Sequence, residues 1–92
     1  FISYVSLQDG RHSIFAVTPD GKKHWKLIEN PNSESWHDWS SDGQWLVFNS
    51  SDNAETQYNI TLMNWRTKEQ KQLTDNTTYK SQLSPVFIEE QN

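Results

Sequence analysis

The sequence predicts an all-β chain made of two four-stranded antiparallel units, and three observations carry that prediction. The chain repeats itself with a period of roughly 44 residues, a length that fits a unit of several short strands. Phe1-Ile2-Ser3-Tyr4-Val5-Ser6 matches Trp45-Leu46-Val47-Phe48-Asn49-Ser50, Ile14-Phe15-Ala16-Val17 matches Ile60-Thr61-Leu62-Met63, and Leu27-Ile28-Glu29-Asn30 matches Leu73-Thr74-Asp75-Asn76. All three glycines follow an aspartate, at Asp9-Gly10, Asp20-Gly21 and Asp42-Gly43, each pair between runs rich in β-branched and aromatic residues. A tight reversal needs φ above zero, which glycine adopts freely, so each pair predicts a hairpin. No segment shows helical periodicity, and essentially no helix is expected.

The elements follow in order. A strand over about Phe1 to Ser6 reverses at Asp9-Gly10 into a second over Ser13 to Thr18, and Asp20-Gly21 leads to a short third over Trp25 to Leu27. Asn30-Pro31-Asn32-Ser33-Glu34-Ser35 is polar and turn-rich, and reads as the connection between the halves. Trp36 to Ser40 and Gln44 to Ser50 flank Asp42-Gly43, a slightly longer loop precedes Tyr58, and strands over Asn59 to Asn64 and Lys71 to Leu73 close the second unit. Asp75 to Gln82 is a second polar connection, and a last strand is expected over Pro85 to Ile88. Within Gln44 to Phe48, Trp45 and Val47 point to one face and Leu46 and Phe48 to the other, since side chains alternate along a strand. Both faces are apolar, which suits a strand packed between two neighbouring sheets rather than one facing water.

Repeats of this length and strand content are the mark of β-propeller blades. The first blade spans about residues 1–30, the second about 36–76, and the strand at 84–88 starts or completes another. One blade cannot hide its own apolar faces, so a two-blade chain needs neighbours.

Composition narrows the function. Only 33% of the residues are hydrophobic, and the apolar area sits in five Trp, four Phe and three Tyr. The net charge is -4 and the basic residues are scattered, which argues against nucleic acid as a partner. Without cysteine there is neither a disulfide nor a thiolate metal site. No apolar run approaches the roughly 18 residues of a membrane span, and no membrane insertion is expected. Beginning at Phe1, inside a predicted strand, the chain reads as a processed or excised piece.

Trp39-Ser40-Ser41-Asp42-Gly43-Gln44-Trp45-Leu46-Val47-Phe48, followed by a polar turn and Ile60 to Asn64, resembles the repeat of TolB-like propellers. In that family a W-S-P-D-G-K hairpin joins the first and second strands of a blade, a Y-V-M-D-x-D-G hairpin follows, and L-T closes the fourth strand. Phe15-Ala16-Val17-Thr18-Pro19-Asp20-Gly21 and Gln72-Leu73-Thr74 look like the second and third of these signatures. Ser41 replaces the usual Pro, Asn64-Trp65-Arg66-Thr67 replaces an Asp-Gly turn, and the final signature decays to Ser84-Pro85-Val86-Phe87-Ile88-Glu89-Glu90. By this pattern the chain holds the second to fourth strands of one blade, a complete blade, and one first strand. The resemblance implies a piece of a six-bladed ring, closed either by three copies of the chain or within a longer propeller from which this piece was cut.

What the resemblance implies for function is a non-catalytic interaction scaffold outside the cytoplasm, periplasmic in the family, which binds a protein partner through ring-face loops or the central channel. No cofactor is implied. Two alternatives remain open: the propeller portion of a prolyl-oligopeptidase-like hydrolase, and a self-assembled carbohydrate-binding ring.

Candidate contact residues are few. Trp36, His37 and Asp38 lie on the strand that would line the channel, and Trp65 sits in the turn between third and fourth strands, where an exposed rim contact is expected. His37 and Asp38 could supply nitrogen and oxygen to a metal. As strand neighbours they face opposite ways, and no third ligand is visible, so no metal is expected. His12 and His24 fall beside turns and are expected to face solvent. Asn49, Asn59 and Asn76 begin N-x-S/T triplets, which a Ser/Thr/Asn-rich chain produces by chance. No Gly-x-Ser-x-Gly elbow is present, and hydrolytic chemistry within these residues is not expected. The other tryptophans are assigned to packing between blades.

Overall fold

In the computed structural model, which describes residues 1–28, 32–51, 57–75 and 83–88, the turn chemistry of the sequence sets the strand pairing. Asp9 and Gly10 both take left-handed backbone angles, φ 51° and 78°. Two such residues form the tight turn whose twist matches that of the strands it joins. β1 (Ile2–Gln8) and β2 (Arg11–Val17) therefore pair antiparallel without a gap, down to Gln8 opposite Arg11. β3 (His24–Lys26) adds to the far edge of β2, giving a three-stranded sheet in the order β1-β2-β3.

The second sheet has four strands, β4 (Ser33–Trp39), β5 (Trp45–Ser51), β6 (Tyr58–Asn64) and β7 (Gln70–Gln72), in chain order and antiparallel throughout. No helix occurs among the described residues. The first unit thus has three strands, in keeping with the strand tally but short of two equal four-stranded units.

Two turns solve their polar accounting in the same way. At Thr18 to Lys23, the Gly21 amide donates to the Thr18 carbonyl at 2.8 Å, the Asp20 carboxylate accepts from the Thr18 hydroxyl and the Lys22 amide, and the Lys23 amide donates to Thr18 Oγ1. At Ser40 to Trp45, Gly43 donates to the Ser40 carbonyl at 2.9 Å, Asp42 accepts from the Ser40 hydroxyl and the Gln44 amide, and the Trp45 amide donates to Ser40 Oγ. These bonds to the charged form hold the carboxyls of Asp20 and Asp42 below the usual range. The third turn differs: Asn64 Oδ1 accepts from Arg66 and Thr67, and Lys68 takes the left-handed conformation at φ 67°.

The repeat is present at the level of single hydrogen bonds. Leu27 N donates to Ile14 O at 2.9 Å in the first sheet, and its counterpart Leu73 N donates to Ile60 O at 2.8 Å in the second.

The sheets pack face to face. Ile14, Ala16, Leu27 and Ile28 from the first meet Leu46, Phe48 and Met63 from the second, with Trp39 and Trp65 against the margin of this core. Burying side chains of this size contributes about 1.5–3 kcal/mol each. At one end Phe1 meets three indoles edge-on, Trp25 at 5.4 Å, Trp39 at 5.6 Å and Trp65 at 5.1 Å between centroids, the geometry favoured by the ring quadrupoles.

Two sequence expectations are corrected. β4 begins at Ser33, so Ser33, Glu34 and Ser35, read above as connection, belong to a strand. Ser33 pairs with Ser51 and Glu34 with Ser50 before the register shifts ahead of His37, and both Ser33 and Glu34 are buried. Pro85 to Ile88 is not a strand. Proline has no amide hydrogen for a ladder, and this segment is held by side chains instead. Trp36 Nε1 donates to the Pro85 carbonyl at 2.9 Å, Phe87 N to Asp38 Oδ2 at 2.8 Å, and Leu83 N to Asn49 Oδ1 at 3.0 Å. The loop before Tyr58, most of the Asp75 to Gln82 connection, residues 29–31 and the Asn76 triplet lie outside the described residues.

Candidate functional site

Strand alternation decides where the four candidate residues go. In β4, His37 lies opposite Phe48 and Trp39 opposite Leu46, which puts both on the face toward the first sheet, while Asp38 lies opposite Val47 on the other face. His37 Nε2 is 2.8 Å from Ser3 Oγ, and the same oxygen accepts from Trp39 Nε1 at 2.8 Å. Ser3 has one hydrogen to give, and giving it to His37 satisfies all three groups. The imidazole is then neutral, with Nε2 as acceptor and its proton on Nδ1. Burial between the sheets lowers the His37 pKa from 6.5, and the neighbouring Asp38 carboxylate opposes that only in part. Asp38 turns away and accepts from Phe87 N. The pair therefore diverges and joins β4 to different neighbours. Among the described residues, no three His, Asp or Glu side chains come together as a metal site.

Trp65 departs from the expected exposed rim contact. Its ring is half-buried against Phe1, its Nε1 donates to the Gly43 carbonyl at 2.7 Å, and the Arg66 guanidinium lies 5.2 Å from the ring centroid. Phe1, Trp39, Gly43 and Trp65 border a shallow hollow of about 240 Å³. The turn residue folds inward because Phe1 and Trp39 offer it an aromatic wall.

Trp36 is the exposed one, at 46%, with Trp25 next at 36%. Trp25 had been assigned to packing between blades, whereas Trp36 was a candidate contact residue on the channel strand. Trp36 lies beside the register shift of β4, where the strand cannot keep its side chain within the ladder's regular alternation. It borders a cleft of about 330 Å³ with Val5 and His12 from the first sheet and Ser33, Ser35, Ser51 and Tyr58 from the second. Ser33, Ser51 and Tyr58 pair across three adjacent strands at this end. The floor is knit by hydrogen bonds: His12 N donates to Ser33 Oγ at 3.1 Å and Asn49 Nδ2 to Ser35 Oγ at 2.8 Å.

His12 is thus half-buried at the cleft rather than free in solvent, whereas His24 is exposed, with Tyr4 Oη 3.2 Å from its Nδ1. Sequence reasoning missed His12, Ser35, Ser51 and Tyr58. Their only signal is that the polar ends of three strands align in register. Asn49 and Asn59 are buried, at 1% and 8%, which leaves no room for a glycan.

Such a cleft offers an indole face, a phenol, hydroxyls and an imidazole, without a lining carboxylate among the described residues. It can stack a planar or pyranose ring and hydrogen-bond a neutral ligand. Comparison with known proteins adds no relative: no family model, curated protein or solved structure matches the chain.

Proposed function

We propose that this chain is a non-catalytic interaction module, a pair of TolB-like propeller blades belonging to a ring of six, that binds a protein partner at the Trp36 cleft. The observation that carries the site is the 46% exposure of Trp36 beside hydrogen-bonded hydroxyls. Trp is the residue type most enriched where binding energy concentrates. The same turn network at Thr18 to Lys23 and Ser40 to Trp45 supports the blade reading. An extracytoplasmic, periplasmic location rests on the family resemblance alone.

A second reading, a saccharide ligand, is favoured by one feature: among the described residues, the cleft lining is aromatic and hydroxylic and holds no carboxylate. Peptide and glycan arrays probed with the wild type and with Trp36→Ala separate the two. Peptide binding that falls about tenfold or more in the variant supports the protein partner. A glycan signal with the same loss moves the ligand to carbohydrate, and no signal on either array, or one indifferent to the substitution, overturns the site.

A further inference from the structure

The core between the sheets is made by positions that recur, in the repeat, on the two outer faces. On the second sheet, Leu46, Phe48 and Met63 face the first sheet and are fully buried. Their counterparts in the first sheet are Ile2, Tyr4 and Val17, which lie with Phe15 on its outer face; Ile2 is 56% exposed and the other three are half-buried. Tyr4 and Phe15 stack there at 5.8 Å.

The converse holds for the other half of the core. Ile14, Ala16 and Leu27 face the second sheet at 0%, 0% and 1% exposure. Their counterparts Ile60, Leu62 and Leu73 share the outer face of the second sheet with Val47, and Leu73 is 50% exposed. One outer face thus repeats the receiving half of the core, and the other repeats the inserting half.

We infer that the outer face of the first sheet docks head to tail on the outer face of the second sheet of another copy of this chain, reproducing the packing between the two sheets within one copy. The inference rests on the blade reading and not on the ligand of the Trp36 cleft.

The segment at 83–88 supports this occupant. It crosses the outer face of the second sheet through Asp38, Asn49 and Trp36, as β4 crosses the inner face of the first through Ser3. In the second sheet β5 has β4 on its outer edge, whereas its counterpart β1 ends the first sheet with that edge unpaired among the described residues. Docking brings the edge of β1 beside the receiving copy's 83–88 segment. A contact of this kind uses different surfaces on the two copies, so it propagates until it closes into a ring or continues as a filament.

The test is the mass of the chain by sedimentation equilibrium across a concentration series, with two variants. Ile2→Asp spoils one face and Leu73→Asp the other, both at positions exposed in the single chain, and far-UV circular dichroism confirms that each folds. Wild type is expected at multiples of 10.8 kDa, and each variant alone at one chain mass. An equimolar mixture of the two variants keeps one intact pair of faces and is expected to give a particle of twice the chain mass that grows no further. Wild type that stays at one chain mass throughout overturns the proposal, and means that something other than a second copy covers these faces. Self-association of wild type without pairing of the mixed variants overturns it too, because the contact is then not head to tail. Either result leaves the arrays to judge the cleft independently.

Discussion

Ser3 and His37 stand 34 residues apart in the chain and join the two sheets through a 2.8 Å hydrogen bond. Trp39 donates to the same hydroxyl, so one serine side chain serves two partners on β4. The junction is polar, partly buried and next to the core, which makes it sensitive to pH and to truncation.

Protonation of His37 is opposed by its burial. Its folded pKa lies below 6.5, so the unfolded chain binds this proton more readily than the folded one. Stability is therefore complete above pH 6.5 and declines as pH falls through the lowered folded value. Urea midpoints from pH 8 to pH 5 should fall on the acid side, and His37→Gln should flatten that part of the curve relative to wild type. Parallel curves for the two proteins count against the junction.

Ser3→Ala removes the acceptor of the Trp39 N–H and the donor to His37 together. Leaving half-buried polar groups unpaired costs about 1–3 kcal/mol. Chemical denaturation should show a lower midpoint with an unchanged slope, the sign that stability and not compactness has changed.

Leu27 and Leu73 are repeat counterparts with opposite fates, 1% and 50% exposed. Leu27→Ala should cost about 2–5 kcal/mol through the cavity it leaves. Leu73→Ala, read at a concentration where the chain is monomeric, should cost well under half as much. Equal losses would mean that the two sheets do not pack as described.

Left-handed backbone favours glycine, and Lys68 occupies such a conformation at φ 67°. Lys68→Gly relieves about 1 kcal/mol of strain, less the Lys68 Nζ contact to the Leu27 carbonyl at 3.3 Å. Gly43→Ala acts in reverse. An added Cβ meets nothing within 4 Å, so its cost of about 1 kcal/mol comes from the backbone alone. Thermal melts should move up for the first variant and down for the second.

Much of the fold was legible because it is written in local chemistry. Asp-Gly pairs mark where the chain reverses, and the alternation in Trp45 to Phe48 marks a strand buried on both faces. The start of β4 was not legible. Ser33-Glu34-Ser35 has the composition of a loop, and only the serines opposite it at the end of β5 make it a strand. Pro85 to Ile88 has a strand's composition, but its Pro85 carbonyl and Phe87 amide are taken by the Trp36 and Asp38 side chains of the second sheet. The site was legible in part: Trp36 was singled out for its place on β4, but its exposure depends on the register shift that no motif announces. Trp65 was misjudged because the aromatic wall that draws it inward is assembled from residues far away in sequence.

Leu27 and Leu73 make the same backbone bond, yet only one of them is dry. A ladder of such bonds is intrinsic to each half, whereas the exclusion of water is lent by whichever sheet lies alongside. Each half therefore carries the instructions for its own shape but lacks the means to sustain it alone, and thermodynamic autonomy belongs to the stack.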